Sequence, residues 1–95
     1  MIKESWATKE TTELFKAILN LKTVEELENF FRDLCTLEEI KAMEKRWQIA
    51  KMVYQDKPYR DIAEELEVSS TTVSRVAQWL HHGNGGYMSV LRKVN

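Results

Sequence analysis

At 95 residues the chain is sized for a single domain. Hydrophobic residues make up 43% and charged residues 31%, ordinary for a soluble globular fold, and no apolar run reaches the roughly 18 residues of a membrane span. A net charge of −1 predicts weak non-specific attraction to nucleic acid, so any such affinity must come from where the charges sit.

Three Gly and one Pro in the whole chain favour helices over a strand-and-turn fold. Residues 1–7 carry Lys3 and Glu4 and no apolar core of the kind a secretory leader needs. Cys35, the only cysteine, sits in an apolar pattern and reads as a small buried hydrophobe; together these predict a cytoplasmic protein. A first helix is predicted from Thr8 to Leu21, with Leu14, Phe15, Ile18, Leu19 and Leu21 close to helical spacing. Thr23 and Glu26 then spell a capping box for a second helix running to about Leu34. Its stripe is Val24, Leu27, Phe30, Phe31 and Leu34, and its other face is acidic through Glu25, Glu26, Glu28 and Asp33.

Thr36 and Glu39 form a second capping box and open the longest helix, from about Leu37 to Gln55. Leu37, Ile40, Met43, Trp47, Ala50 and Tyr54 share one broad face, and Ile49, Met52 and Val53 make the second half apolar nearly all round. Such a helix must be buried on several sides. A chain of this size buries only a little over ~60% of its unfolded surface, which predicts a homodimer with the second and third helices in a shared core. The alternative is a monomer with Trp47 and Tyr54 tucked under the C-terminal helix.

Pro58 suits the first turn of a helix ending near Leu66, with Ile62, Ala63 and Leu66 inward. Glu67, Val68 and Ser69 make a turn, and Ser69 or Ser70 caps a helix that runs to His81 or His82. Residues 83–86, with three glycines, stop it, and Tyr87 to Val94 forms a last short helix. The fold class is therefore all-α, as one domain over residues 1–95. Residues 1–56 are the dimerisation helices, 57–82 a helix-turn-helix, and 83–95 the C-terminal helix.

The helix-turn-helix assignment rests on a small residue where two helices cross, Ala63, an apolar turn residue, Val68, and a β-branched residue on the buried side of the second helix, Val73. Such turns often carry Gly where this chain has Glu67, so Glu67 must adopt an unfavourable backbone angle or the turn must differ. On the second helix Val73, Val76, Ala77 and Leu80 cluster on one side, with Thr71, Arg75, Gln78 and His82 opposite. From Ser69 to His82 there is no acid, as a surface facing phosphates requires. The short polar residues Ser69, Ser70, Thr71, Thr72 and Ser74, with Arg75 and Gln78, can enter the major groove of double-stranded DNA. Lys57, Tyr59 and Arg60 are placed to hold the flanking backbone. The plainer reading of the Ser-Thr run is a capping stretch on a solvated helix.

His81 and His82 are adjacent on a helix and point apart, and no Cys, Asp or Glu cluster at metal-site spacing stands near them. No phosphate-cradling Gly loop and no nucleophile–base pair is present. The expectation is a protein that is not an enzyme and takes no metal or cofactor.

The run from Leu34 to Ala42 with Arg46 and Ile49, followed by Asp61 to Arg75, resembles the Trp repressor superfamily, and more narrowly its YerC/YecD group, over nearly the whole chain. The resemblance implies a six-helix intertwined homodimer whose reading heads meet successive major grooves of a palindromic operator, and a repressor using a small-molecule corepressor. Thr36, Arg46, Thr72 and Arg75 match the family's corepressor-binding positions. Two positions depart: Val76 stands where the family has a Gly against which the ligand packs, and Trp79 where it has a Ser that holds the ligand's amino group. Both speak against tryptophan itself, and Trp79 is expected to cover or partly fill the site from within. The rival to a DNA-binding repressor is a helical protein-interaction module built on the same scaffold, which the acidic second helix makes conceivable.

Overall fold

Four of the six helices among the described residues start where a short polar side chain satisfies an orphan amide. In the computed structural model, which describes residues 6–94, Thr8 caps α1 (Lys9–Leu19) by accepting from the Thr11 amide. Thr23 caps α2 (Val24–Leu34), and Glu26 reaches back to the Thr23 amide at 3.2 Å. Thr36 accepts from the Glu39 amide at 3.1 Å while Glu39 accepts from the Thr36 amide at 2.8 Å, opening α3 (Leu37–Tyr54). Both capping boxes legible in the sequence are formed, and a third, built by Thr8 and Thr11, was not anticipated. The remaining helices are α4 (Tyr59–Leu66), α5 (Ser70–His82) and α6 (Gly86–Val94). Pro58 is the residue before α4 rather than within its first turn, with extended backbone that feeds the chain into the helix. Among the described residues there are six helices and no strand. The reading of residues 1–7 as carrying no leader falls largely on residues 1–5, which lie outside the described residues.

Two compact units divide the chain, one up to Ile40 and one from Lys41, so the boundary falls inside α3. In the first unit neither α1 nor α2 has a buried residue. Phe15, Leu19, Val24 and Leu34 are exposed although they lie on the apolar stripes, and Leu19 is 82% exposed. Cys35 is half-buried rather than buried.

The second unit holds the core: Ile49, Ala50, Met52 and Val53 of α3, Ile62 of α4, Val73, Val76, Ala77 and Leu80 of α5, and Leu91 of α6. Within the single chain the broad face expected on α3 divides. Its second half is buried, while Leu37 and Met43 from the first half stay exposed. Trp47 and Tyr54 pack partly buried against this core, and Trp47 stacks on Tyr87 of α6 with ring centroids 6.4 Å apart. On α6, Leu91 is inward, but Val94 is 62% exposed because it lies in the last turn, beyond the core residues.

The two turns leading into and out of α4 are built alike. After α3 the Lys57 amide donates to the Met52 carbonyl at 3.1 Å and the Asp56 amide to Val53, with Asp56 left-handed at φ 62°. After α4 the Val68 amide donates to Ala63 at 3.0 Å and the Glu67 amide to Glu64, with Glu67 left-handed at φ 56°. These are helix stops of the kind glycine favours, made with residues that pay for a Cβ there. Of the two outcomes allowed at Glu67, the chain takes the unfavourable angle and keeps the turn.

At the end of α5, Gly83 closes against the chain itself. Its amide donates to the Trp79 carbonyl at 2.9 Å, and a Cβ at this position would collide with that same oxygen.

Replacing Glu67 by Gly should therefore raise stability by about 0.5–1 kcal/mol, since the steric cost of a left-handed non-glycine exceeds the entropy cost of glycine. Urea unfolding at fixed protein concentration would show it as a higher midpoint; an unchanged or lower midpoint would mean the turn is not strained. Truncating fully buried Ile62 to Ala should cost about 2–5 kcal/mol in the same measurement.

Candidate nucleic-acid interface and adjoining cleft

The rotation of α5 is set by its buried stripe. With Val73 at 0%, Val76 at 1%, Ala77 at 3% and Leu80 at 3% exposure, the helix can turn neither way without exposing an apolar side chain. The opposite side then carries Ser70, Thr71, Ser74, Arg75 and Gln78, all exposed. No carboxylate lies between Ser69 and His82, and the opening amides of a helix add positive potential at the Ser70 end.

Not every expected contact residue is equally free. The Ser69 hydroxyl caps α5 by accepting from the Thr72 amide at 3.0 Å, and it lies 2.8 Å from the Thr72 hydroxyl. These two hydroxyls are thus engaged with the helix start. Tyr59 and Arg60 are exposed in the first turn of α4. Lys57 is half-buried, and its ammonium is held 2.9 Å from a Glu65 carboxylate oxygen, which neutralises the charge expected to face phosphate. His81 and His82 are exposed in the last turn of α5, with ring centroids 6.3 Å apart. Among the described residues no group of His, Cys, Asp and Glu could hold a metal ion.

A cleft of about 280 Å³ runs between α3 and α5. Its walls are two helical stripes: Ala42, Lys45 and Arg46 from α3, and Thr72, Arg75, Val76 and Trp79 from α5. Each set repeats at spacings of three and four, so each lies along one side of its helix. Three of the four expected effector residues, Arg46, Thr72 and Arg75, therefore meet here. The fourth, Thr36, belongs to the first unit, where its hydroxyl caps α3.

Trp79, expected to cover or partly fill this place, lines it. It is 50% exposed and forms one wall of the cleft, and Val76, exposed to only 1%, belongs to the core and lines the cleft beside it. Trp79 also borders a second, apolar cleft of about 630 Å³ with Trp47, Tyr87 and Val90.

One structural contact escaped sequence reasoning. The Lys45 ammonium donates to the Leu66 carbonyl at 2.9 Å, placing a cation on the C-terminal end of α4 and tying that helix to α3. The two residues are 21 apart, and no local pattern announces the pair.

The profile of the Trp repressor protein family matches residues 9–95. Uncharacterized protein YerC of Bacillus subtilis is 41% identical over 86 residues, covering 90% of this chain and 83% of that protein. The crystal structure of a TrpR-like protein from Eubacterium eligens superposes with a TM-score of 0.87 at 41% identity, covering 92% of this chain and 90% of that one. A candidate Trp repressor from Staphylococcus aureus gives a TM-score of 0.87 at 42% identity, covering 94% and 89%. The match spans both the helix-turn-helix and the helices before it, and no helix among the described residues is long and apolar enough to cross a membrane. The chain belongs to the Trp repressor family, a family of DNA-binding regulators.

Proposed function

We propose that this chain is a sequence-specific transcriptional repressor that binds palindromic operators as a homodimer in the cytoplasm, with no catalytic activity. The observation that carries the reading is the outward face of α5. Ser70, Thr71, Ser74, Arg75 and Gln78 stand exposed on an acid-free helix whose rotation is locked by its core. Short hydroxyl side chains let the helix approach base edges, and Arg75 and Gln78 supply longer donors. Ser69 and Thr72 hold the helix start at the groove, and Lys57, Tyr59 and Arg60 hold the flanking backbone. Thr36, Arg46, Thr72 and Arg75 serve a small-molecule effector.

Residues 1–56 dimerise, 57–82 read DNA and 83–95 close the domain. In support of the dimer, Phe15, Leu19, Val24, Leu34 and Leu37 expose apolar surface that a second copy would cover. Sedimentation should return twice the 11.2 kDa chain mass, and Leu19→Glu should shift it toward the single chain. A wild-type protein that sediments as a monomer at micromolar concentration would remove the palindromic part of this reading.

Selection from a random pool of duplex DNA should return sites with two-fold symmetry, bound with an affinity that falls steeply with salt. Arg75→Ala should weaken operator binding by about 1–3 kcal/mol without unfolding the protein. Glu65→Gln should release Lys57, tightening binding at low salt and steepening the salt slope by about one. A protein that selects no sequence, with Arg75→Ala indifferent, would instead favour the interaction-module reading.

A further inference from the structure

α4 packs closely on α5, and α5 on α6, so the reading motif is well joined within itself. Its attachment to α3 is narrower. Ile62 enters the core beside the α3 residues and holds the middle of α4. At the end of α4, among the described residues, one hydrogen bond crosses to α3: the Lys45 ammonium donates to the Leu66 carbonyl at 2.9 Å.

That carbonyl is open for a reason. The amides of the left-handed turn close onto Ala63 and Glu64, so the Leu66 oxygen needs a partner from outside the helix. A cation suits it, because the carbonyl end of a helix carries partial negative charge. The position matters as much as the bond. Leu66 ends α4, and Ser69, the cap of α5, and Ser70, the first residue of its outward face, follow within the same turn. A shift of this carbonyl therefore carries the start of α5 with it. Ser70, Thr71 and Ser74 are too short to reach a base edge from a displaced helix.

We propose that Lys45 is a positioning residue for operator binding: it acts through the Leu66 carbonyl, holding the α4–α5 turn on α3, and touches no phosphate. This rests on the DNA-binding reading above. Such a residue governs how the outward face meets base edges, not the charge that draws the protein to any duplex. Its loss lowers specific affinity and leaves non-specific affinity unchanged.

Lys45→Met, which keeps the stem and removes the ammonium, tests this on the intact protein by equilibrium binding to two duplexes. One is the operator recovered by selection, the other a random sequence of equal length. Operator affinity should fall about three- to tenfold, the worth of one hydrogen bond, with random-sequence affinity and the salt slope unchanged. Lys45→Arg, whose guanidinium can donate to the same oxygen, should restore operator affinity to within about twofold. Lys41→Met removes one charge a turn earlier on α3, where the ammonium pairs with Glu44 at 3.5 Å, and should have no effect. Lys45 and Lys41 are exposed, so every variant should be folded at the assay temperature, which thermal unfolding checks.

If Lys45→Met weakens both duplexes and lowers the salt slope by about 0.9, Lys45 is a phosphate contact and the proposal is wrong. A loss that Lys41→Met reproduces, or that Lys45→Arg does not restore, would also overturn it. A parent protein that selects an operator and is indifferent to Lys45→Met sinks this proposal alone. A parent that selects no sequence sinks the DNA-binding reading, and this proposal with it.

Discussion

What α5 offers to solvent depends on what it buries. Four apolar side chains on one side of a 13-residue helix fix its rotation to within a fraction of a turn, because rolling it would expose Val73 or Leu80 to water. A reading helix needs this more than it needs any particular outward residue. Side chains that project only a few ångströms, as Ser and Thr do, can meet a base edge only if the helix axis and its roll are already correct. Short outward residues and a tightly sealed inner stripe therefore belong together.

Two further devices hold the unit in register with its support. The left-handed turn at Glu67 sets the angle between α4 and α5, and the second amide bond of that turn closes onto Ala63, the small residue at the crossing. The Lys45 ammonium on the Leu66 carbonyl then pins the end of α4 to α3. One contact fixes the angle within the motif and the other fixes the motif on its platform. The conformational cost at Glu67 is tolerated because the surrounding packing determines that turn completely. Glycine would relieve the strain, yet the fold is reached without it.

Much of this was legible in the sequence because its signals are local. Thr23 with Glu26 and Thr36 with Glu39 announce helix starts, since the capping partner is always three residues on. The inner stripe of α5 follows from helical periodicity, whereas the grouping of Arg46 with Thr72 and Arg75 came only from the family resemblance. What the sequence hid is what depends on distance along the chain. Lys57 and Glu65 stand eight residues apart, and only the turn between α3 and α4 brings them within 2.9 Å. The apolar face of α3 is continuous in sequence, but only its second half enters the core of the second unit, while Leu37 and Met43 are exposed in the single chain. That Trp79 borders two clefts at once is likewise invisible in the sequence, because each cleft is closed by residues of other helices.

Arg75 connects these surfaces. It belongs at once to the outward face of α5 and to the lining of the cleft, because its position on the helix is the edge between them. A guanidinium has five donors in one plane, but it cannot point its fork in two directions at the same time. On the proposed reading, an anion held in the cleft and a phosphate held outside would therefore draw on the same group. Whatever one does to the orientation of Arg75 alters the affinity of the other, and by linkage the effect is equal in both directions. From Ser69 to His82, Arg75 is the single Lys or Arg. Coupling between the two proposed sites would then need no movement of the helices, only a choice of partner by one side chain.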